Sequence, residues 1–360
     1  MGSVLNKKEF VKKQMLEYRK SLFTILKLIT GVGLFSFLLF KNSNFDNLIK
    51  IFSSIRWEYI YIIMGLHIVM DLLSSIKWGI FIKERGHNIS LRGLFNIFLI
   101  GRFFNNFIPG LTGGDVARIY FLGKKINSYT KSAASIIMER FSGLTAVIFV
   151  AIIFLLLNID ILREPAIGMS IGILIIICVV FFILFFNPEL VKKIAGRLTF
   201  LPFSIKIFST LGVLLDDISY FKTKYKLLQN AMLLSFLFHL LTSFNVYLCC
   251  LAIGLHPAFL DIIVINSIIR IVVVIPVSPS NIGWWEWVFS VFLVHAGANI
   301  AEGIAVALII RAKTFIFSLI GGILFLSEKK SGSSKLIYGS LKRWNGKKKA
   351  LQGSDVIYDT

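Results

Sequence analysis

The feature that most constrains this chain is a series of long apolar runs. Six of them are long enough to cross a hydrocarbon core of about 30 Å, which takes about 20 apolar residues as a helix. A segment in lipid must satisfy its backbone hydrogen bonds internally, so we expect these runs to be α-helices. The predicted spans are approximately 22–40, 59–82, 136–157, 167–186, 230–253 and 303–326.

Composition indicates a membrane protein rather than a soluble one. Hydrophobic residues make up 56% of the chain and charged residues only 16%, against about 25% charged residues in a soluble domain. The net charge of +20 would suggest nucleic acid in a soluble protein. Here the charge lies in loops and tails, so we expect anionic membrane lipids as partners and no nucleic acid.

The distribution of positive charge predicts the orientation. Of the 39 Lys and Arg residues, 29 fall in the tails and in alternate loops, and only four in the loops between them. The positive-inside rule therefore places both termini of this cell-membrane protein in the cytoplasm. The predicted division is a basic cytoplasmic amphipathic segment (1–21), a transmembrane domain (22–327) and a basic cytoplasmic tail (328–360).

Two further apolar stretches, 91–122 and 258–298, are interrupted by proline and glycine. With the predicted orientation, the first begins and ends on the cytoplasmic side and the second on the outer side. We therefore expect two oppositely oriented re-entrant helical hairpins; the alternative is a kink within one span at each break. Interrupted segments in the two halves of a membrane protein indicate a substrate site near the midplane. The predicted fold is all-α and polytopic.

The first break contains residues suited to binding an anion. Pro109 and the pair Gly113-Gly114 end one helix, and Asp115 is a good N-cap for the next. The unpaired N–H groups of a helix N-terminus attract anions. Arg118 is near the same end and could bind a phosphate bidentately. The alternative is that Asp115 only caps the helix and Arg118 pairs with it.

The second break is followed by a carboxylate at membrane depth. Ser280 or Asn281 can cap the helix that begins near residue 284, and Glu286 lies in its first two turns. A charge at this depth is costly and normally has a partner. Arg270, before the break, and Arg311, in the last span, are the candidates.

Other ionisable residues lie inside the predicted spans. Glu139 and Arg140 are adjacent, so they point to different sides of a helix and each is expected to pair across helices. A structural pair and a substrate contact are both open. Asp71, Lys77 and Lys313 are weaker candidates for lining a cavity, and His239 is expected to be a hydrogen-bonded core residue.

Three separate motifs together resemble one family. They are the Asn-x-x-Pro-Gly-x-x-Gly-Gly-Asp-x-x-Arg run from Asn106 to Arg118, the pair Glu139-Arg140, and the Pro-x-Ser-Pro-x-x-x-Gly-x-x-Glu run from Pro276 to Glu286. The sequence is similar to the lysylphosphatidylglycerol synthase transmembrane-region, or flippase-like, family over about 20–327. Many members have a glycine pair at the second break, where this chain has Ser280-Asn281.

The resemblance implies movement of a lipid between leaflets, either an anionic or aminoacylated phospholipid or a polyprenyl-linked lipid. The soluble domain that transfers amino acids in the full-length synthase has no counterpart here, so we lean against an enzyme. The alternatives are a membrane subunit of an aminoacyl or glycosyl transferase, and a proton-coupled small-solute carrier. A lipid-modifying enzyme and a second copy of the chain are further candidate partners.

No nucleotide-binding loop and no metal-binding Cys/His cluster occurs in the sequence, so we expect neither cofactor nor metal. The motifs and the buried charges together give one set of candidate substrate-binding residues. It consists of Asn106, Pro109, Gly113, Gly114, Asp115, Arg118, Glu139, Arg140, Arg270, Pro276, Ser278, Gly283, Glu286 and Arg311.

Overall fold

The structure, a computed structural model, is helical throughout the residues that it describes. These are 44–107, 113–157, 204–273, 277–278 and 281–328, with the single residues Gly33, Ser36, Gly172, Ile176, Ile183, Asn187, Glu189, Leu190 and Lys193. The α-helices within these ranges are α1 (Asn44–Ser53), α2 (Trp57–Glu84), α3 (Leu91–Phe107), α4 (Gly113–Ile126), α5 (Tyr129–Leu157), α6 (Ser204–Lys222), α7 (Tyr225–Ala252), α8 (Phe259–Val272), α9 (Trp284–Leu293) and α10 (Ile300–Glu328).

Among the described residues, four helices are long and apolar enough to cross a membrane: α2, α5, α7 and α10. They confirm the predicted spans 59–82, 136–157, 230–253 and 303–326 as helices. Each begins a few residues before its apolar run, because polar residues at the membrane surface continue the helix. The predicted spans 22–40 and 167–186 lie outside the described residues, apart from single positions, as do the predicted terminal segments 1–21 and 328–360, of which only Glu328 is described.

The spanning helices carry apolar side chains on their outer faces and charges within. Tyr61, Leu233 and Ile323 are 74%, 67% and 67% exposed, whereas Asp71 and Lys77 are buried. Water would favour the opposite arrangement, while lipid favours this one, since lipid tails solvate apolar side chains and not charges. The chain is therefore a multi-pass membrane protein.

The first predicted break separates two helices that pack side by side. α3 ends at Phe107 and α4 begins at Gly113. The side chain of Asn105 accepts a hydrogen bond from the Gly114 amide at 2.7 Å, so one unpaired N–H group at the start of α4 is satisfied by the preceding helix. Asp115 was predicted to be the N-cap. The helix begins two residues earlier because Asn105 supplies an acceptor for its first turn.

The second break is built around backbone conformations with positive φ. Asn281 has φ 55° and Gly283 has φ 79°, and the amide of Gly283 donates to Glu286 Oε2 at 2.8 Å. A glycine adopts this conformation without the strain that a side chain would add. α9 begins directly afterwards and has 10 residues, about 15 Å of helix. It is too short to span a membrane alone.

α10 and α3 approach so closely that a side chain at their contact would not fit. A Cβ atom at Gly321 would collide with the backbone of Leu99, and one at Gly322 with the ring of Phe103. Small residues at such contacts allow helix backbones in membranes to come together. This contact fixes α3, and with it Arg102, against the last spanning helix.

Candidate functional site

A cavity of about 540 Å³ lies between six helices, next to the first break. Its wall contains both apolar surface and an unusual number of ionisable side chains. The lining residues come from α2 (Ser74, Lys77), α3 (Phe98, Gly101, Arg102, Asn105), α4 (Asp115, Arg118), α5 (Glu139, Arg140, Gly143, Leu144, Val147), α7 (Ser235, Phe238, His239) and α8 (Arg270, Ile271).

Glu139 is the centre of one group of charges in this wall. Its carboxylate accepts a hydrogen bond from Arg118 Nη2 at 2.8 Å and lies 3.5 Å from Lys77 Nζ. The side chains of all three are less than 10% exposed. The guanidinium of Arg118 also lies 4.2 Å from the ring centre of Trp78. Arg118 is thus held in place by an anion and an aromatic ring.

Asp115 links the start of α4 to α5. Its carboxylate accepts a hydrogen bond from Arg140 Nη2 at 2.9 Å and lies 3.4 Å from Arg118 Nη1. Glu139 and Arg140 each pair across helices, as expected: both have a partner on α4, and Glu139 also contacts Lys77 of α2. The side chain of Arg140 remains 58% exposed, towards the cavity.

Arg270 is the cation whose charge is least compensated. It lies at the end of α8, immediately before the second break, and its guanidinium is 5.6 Å from the ring centre of Phe238. Its buried Nε has no hydrogen-bond partner in the described part of the chain, and no carboxylate there lies within 4 Å of it. A buried cation without a counter-charge is costly, and an anion in the cavity would lower that cost.

The cavity wall therefore carries an excess of positive charge. Among the described lining residues, five cations face two carboxylates, Asp115 and Glu139. A third carboxylate, Asp71, lies behind the wall and is bonded to Arg102. The arrangement suits a ligand with at least one negative charge, such as a phosphate, which arginine binds with directional hydrogen bonds.

The predicted residues of the second break form a separate group. Glu286 is bonded to Arg311 of α10 and to the Gly283 amide, and Arg311 Nη2 donates to the carbonyl of Asn281 at 3.1 Å. Arg311, not Arg270, is thus the partner of Glu286. These contacts hold the irregular backbone of the break against α10.

The profile of the lysylphosphatidylglycerol synthase transmembrane region matches residues 24–322. The match covers most of the chain. The chain belongs to this family.

The chain is also similar to curated membrane proteins of other organisms. A UPF0104 membrane protein of Pyrococcus horikoshii is 26% identical over 85% of this chain and 97% of its own length. One from Methanothermobacter thermautotrophicus is 24% identical over 71% of this chain and 81% of its own length. No solved structure matches the chain significantly.

The family motifs contribute unequally to the cavity. The lining includes five of the candidate residues, Asp115, Arg118, Glu139, Arg140 and Arg270. Pro109 and Pro276 lie outside the described residues. The lining does not include Asn106, Gly113, Gly114, Ser278, Gly283, Glu286 or Arg311.

Sequence reasoning missed two cavity residues of α3, Arg102 and Asn105. Both precede the family motif that begins at Asn106, and a signal for Arg102 was present, since it is an arginine within an apolar run. Lys77, a weaker candidate, lines the cavity. His239 is buried and hydrogen-bonded to Ser267 Oγ at 2.8 Å, as predicted, and it also lines the cavity.

No group of three metal-ligating side chains occurs among the residues that the structure describes.

Proposed function

We propose that this protein binds the anionic headgroup of a membrane lipid in the cavity and allows it to pass between leaflets. The observation that carries the proposal is the excess of buried positive charge around Arg270, whose guanidinium faces the cavity without a carboxylate partner among the described residues. The lipid would carry a phosphodiester or a polyprenyl phosphate.

The size of the cavity supports a headgroup as the ligand. A volume of about 540 Å³ falls within the range of roughly 300 to 1,000 Å³ that is common for small-molecule sites. The apolar part of the wall, including Phe98, Leu144, Val147 and Phe238, is suited to the glycerol or the first methylenes of a lipid.

The energetic argument is that a phosphate cannot cross lipid cheaply on its own. A single charge at the centre of a bilayer costs at least about 2.5 to 3.5 kcal/mol on insertion scales. Arginines that are already buried there offset this cost without further desolvation. Arg270 is the expected first contact, because it has no carboxylate partner among the described residues. Arg102 is the expected second contact, because its side chain is 20% exposed while that of Arg118 is 4% exposed.

The proposed membrane arrangement has six spans, with α3–α4 and α8–α9 as re-entrant hairpins that enter from opposite faces. The protein is proposed to lie in the cell membrane, with both termini in the cytoplasm. Helix breaks at membrane depth are tolerated where protein or a water-filled cavity covers them, and the end of α8 borders the same cavity as the start of α4.

The test is lipid exchange between leaflets in proteoliposomes. Fluorescent phosphatidylglycerol is reconstituted with the wild type, with Arg270→Gln, and with Arg92→Gln as the control. Arg92 is exposed on α3 and does not line the cavity. We expect exchange above that of empty vesicles for the wild type and Arg92→Gln, and at least tenfold slower exchange for Arg270→Gln. Wild-type exchange no faster than in empty vesicles would contradict the proposal.

A further inference from the structure

A second group of ionisable side chains lies behind the cavity wall, between α2, α3 and α10. Asp71 of α2 is fully buried and bonded to Arg102 of α3. His67, one turn earlier on α2, places Nε2 3.8 Å from Asp71 Oδ2. Lys313 of α10 is also buried, and no described carboxylate lies within 4 Å of its Nζ. The proposed function does not use Asp71, His67 or Lys313.

The polar atoms of this group are incompletely satisfied. Asp71 Oδ2 and both ring nitrogens of His67 are buried and have no hydrogen-bond partner in the described part of the chain. Such atoms are rare in folded proteins, because each costs about 1 to 3 kcal/mol. A proton on Asp71 Oδ2 would turn this oxygen into a hydrogen-bond donor. The nearby His67 Nε2 could accept that hydrogen bond after a small movement.

Arg102 belongs to both groups. Its side chain is 20% exposed and lines the cavity, and its Nη2 donates to Asp71 Oδ1. A single guanidinium charge cannot fully compensate two anions at once. An anion that binds Arg102 from the cavity therefore weakens the stabilisation of the Asp71 carboxylate. In a buried site the neutral acid is then the less costly form.

The groups that face Asp71 determine how readily its carboxylate takes up a proton. Arg102 is bonded to its carboxylate, and Lys313 of α10 is buried in the same group. From α5 the nearest carboxylate, Glu139, is already engaged by Arg118 and Lys77. The ionisable groups around Asp71 are His67 on α2, Arg102 on α3 and Lys313 on α10. Those around Lys313 also include Cys249 on α7 and Arg270 on α8.

We propose that Asp71 is a proton-binding site coupled to the cavity through Arg102, so that binding an anionic headgroup is accompanied by uptake of one proton. The proton comes from the aqueous phase and binds Asp71 Oδ2, the carboxylate oxygen that has no hydrogen-bond partner among the described residues. No other bond changes. The bound state thus adds one negative and one positive charge to the protein. The proposal rests on the proposed function, and it makes transport of the lipid sensitive to a pH gradient.

The experiment measures proton uptake directly. Wild-type protein in a neutral detergent is titrated with short-chain phosphatidylglycerol, whose phosphodiester stays ionised, in a weakly buffered solution with a pH indicator. We expect about one proton taken up per lipid bound. Because the two bindings are linked reciprocally, the Kd for lipid should rise by up to about tenfold per pH unit as the pH increases.

Variants assign the proton to Asp71. In Asp71→Asn we expect lipid binding without proton uptake and a Kd that changes less than twofold over the same pH range. Glu58→Gln, exposed on the same helix, should behave as the wild type. If Asp71→Asn does not fold, His67→Gln decides: retained uptake supports Asp71, and lost uptake points to His67 and overturns the proposal.

The outcomes separate the two proposals. Lipid binding by the wild type without proton uptake would overturn the coupling and leave the proposed function standing. Proton uptake that persists in Asp71→Asn would also overturn the coupling. No binding of phosphatidylglycerol at any pH would overturn both.

Discussion

At the scale of single residues, the cavity contains two kinds of cation. Arg118 and Lys77 are held by Glu139, which is buried between them. Arg270 has no such partner among the described residues and faces the cavity. Arg118 and Lys77 therefore form part of the wall, whereas Arg270 is available to bind a ligand. Glu139 is therefore a positioning residue.

Replacing Glu139 by Gln should destabilise the protein. The change leaves Arg118 and Lys77 close together without their counter-charge. Removing one partner of a buried ion pair typically costs about 3 to 5 kcal/mol, so we expect a clearly lower Tm in detergent, measured by intrinsic fluorescence. Glu302→Gln, at a half-buried carboxylate near the start of α10, should lower Tm less. An unchanged Tm for Glu139→Gln would show that the pairing is not needed.

At the scale of helices, the contact between α3 and α10 depends on Gly321. A methyl group there would collide with the backbone of Leu99 and push α3 away, at a cost of about 1 to 3 kcal/mol. We expect Gly321→Ala to lower Tm. Gly65→Ala on α2 is the matched control, because a Cβ at Gly65 meets nothing within 4 Å. Equal Tm values for both variants would contradict the close contact.

The helix ends were largely predictable from the sequence. Proline and glycine end helices for local reasons, so the break before Gly113 and the start of α9 at Trp284 agree with the pattern. The partners of the charged residues were less predictable. Whether Arg102 meets Asp71, or Glu286 meets Arg311, depends on how each helix is rotated, and a single sequence does not specify that.

At the scale of the whole molecule, the outer surface of the spanning helices is apolar while the cavity is charged. The sequence predicted this separation through its long apolar runs and the few charges within them. It did not predict where the cavity lies. Both breaks were expected to contribute to the substrate site. The cavity instead lies beside the first break, and the second half contributes Arg270 through α8.

The proposed orientation can be tested by labelling. A cysteine in place of the exposed His256, between α7 and α8, should react with a membrane-impermeant maleimide in intact cells. A cysteine in place of the exposed Asn88, between α2 and α3, should react only after the cells are permeabilised. Both cysteines are introduced into a protein that carries Cys178→Ser. The native Cys249 and Cys250 are kept, because they are buried. The reverse pattern would invert the orientation.

The glycine contact between α3 and α10 also has a consequence for movement. Where two backbones touch directly, no side chain lies between them whose torsion angles could adjust, so we expect these helices to move together. The other side of the cavity is crossed by long side chains, Lys77, Arg118 and Arg140, that can exchange one acceptor for another. We therefore expect any passage for a lipid to widen between α2, α4 and α5, where these charged side chains lie.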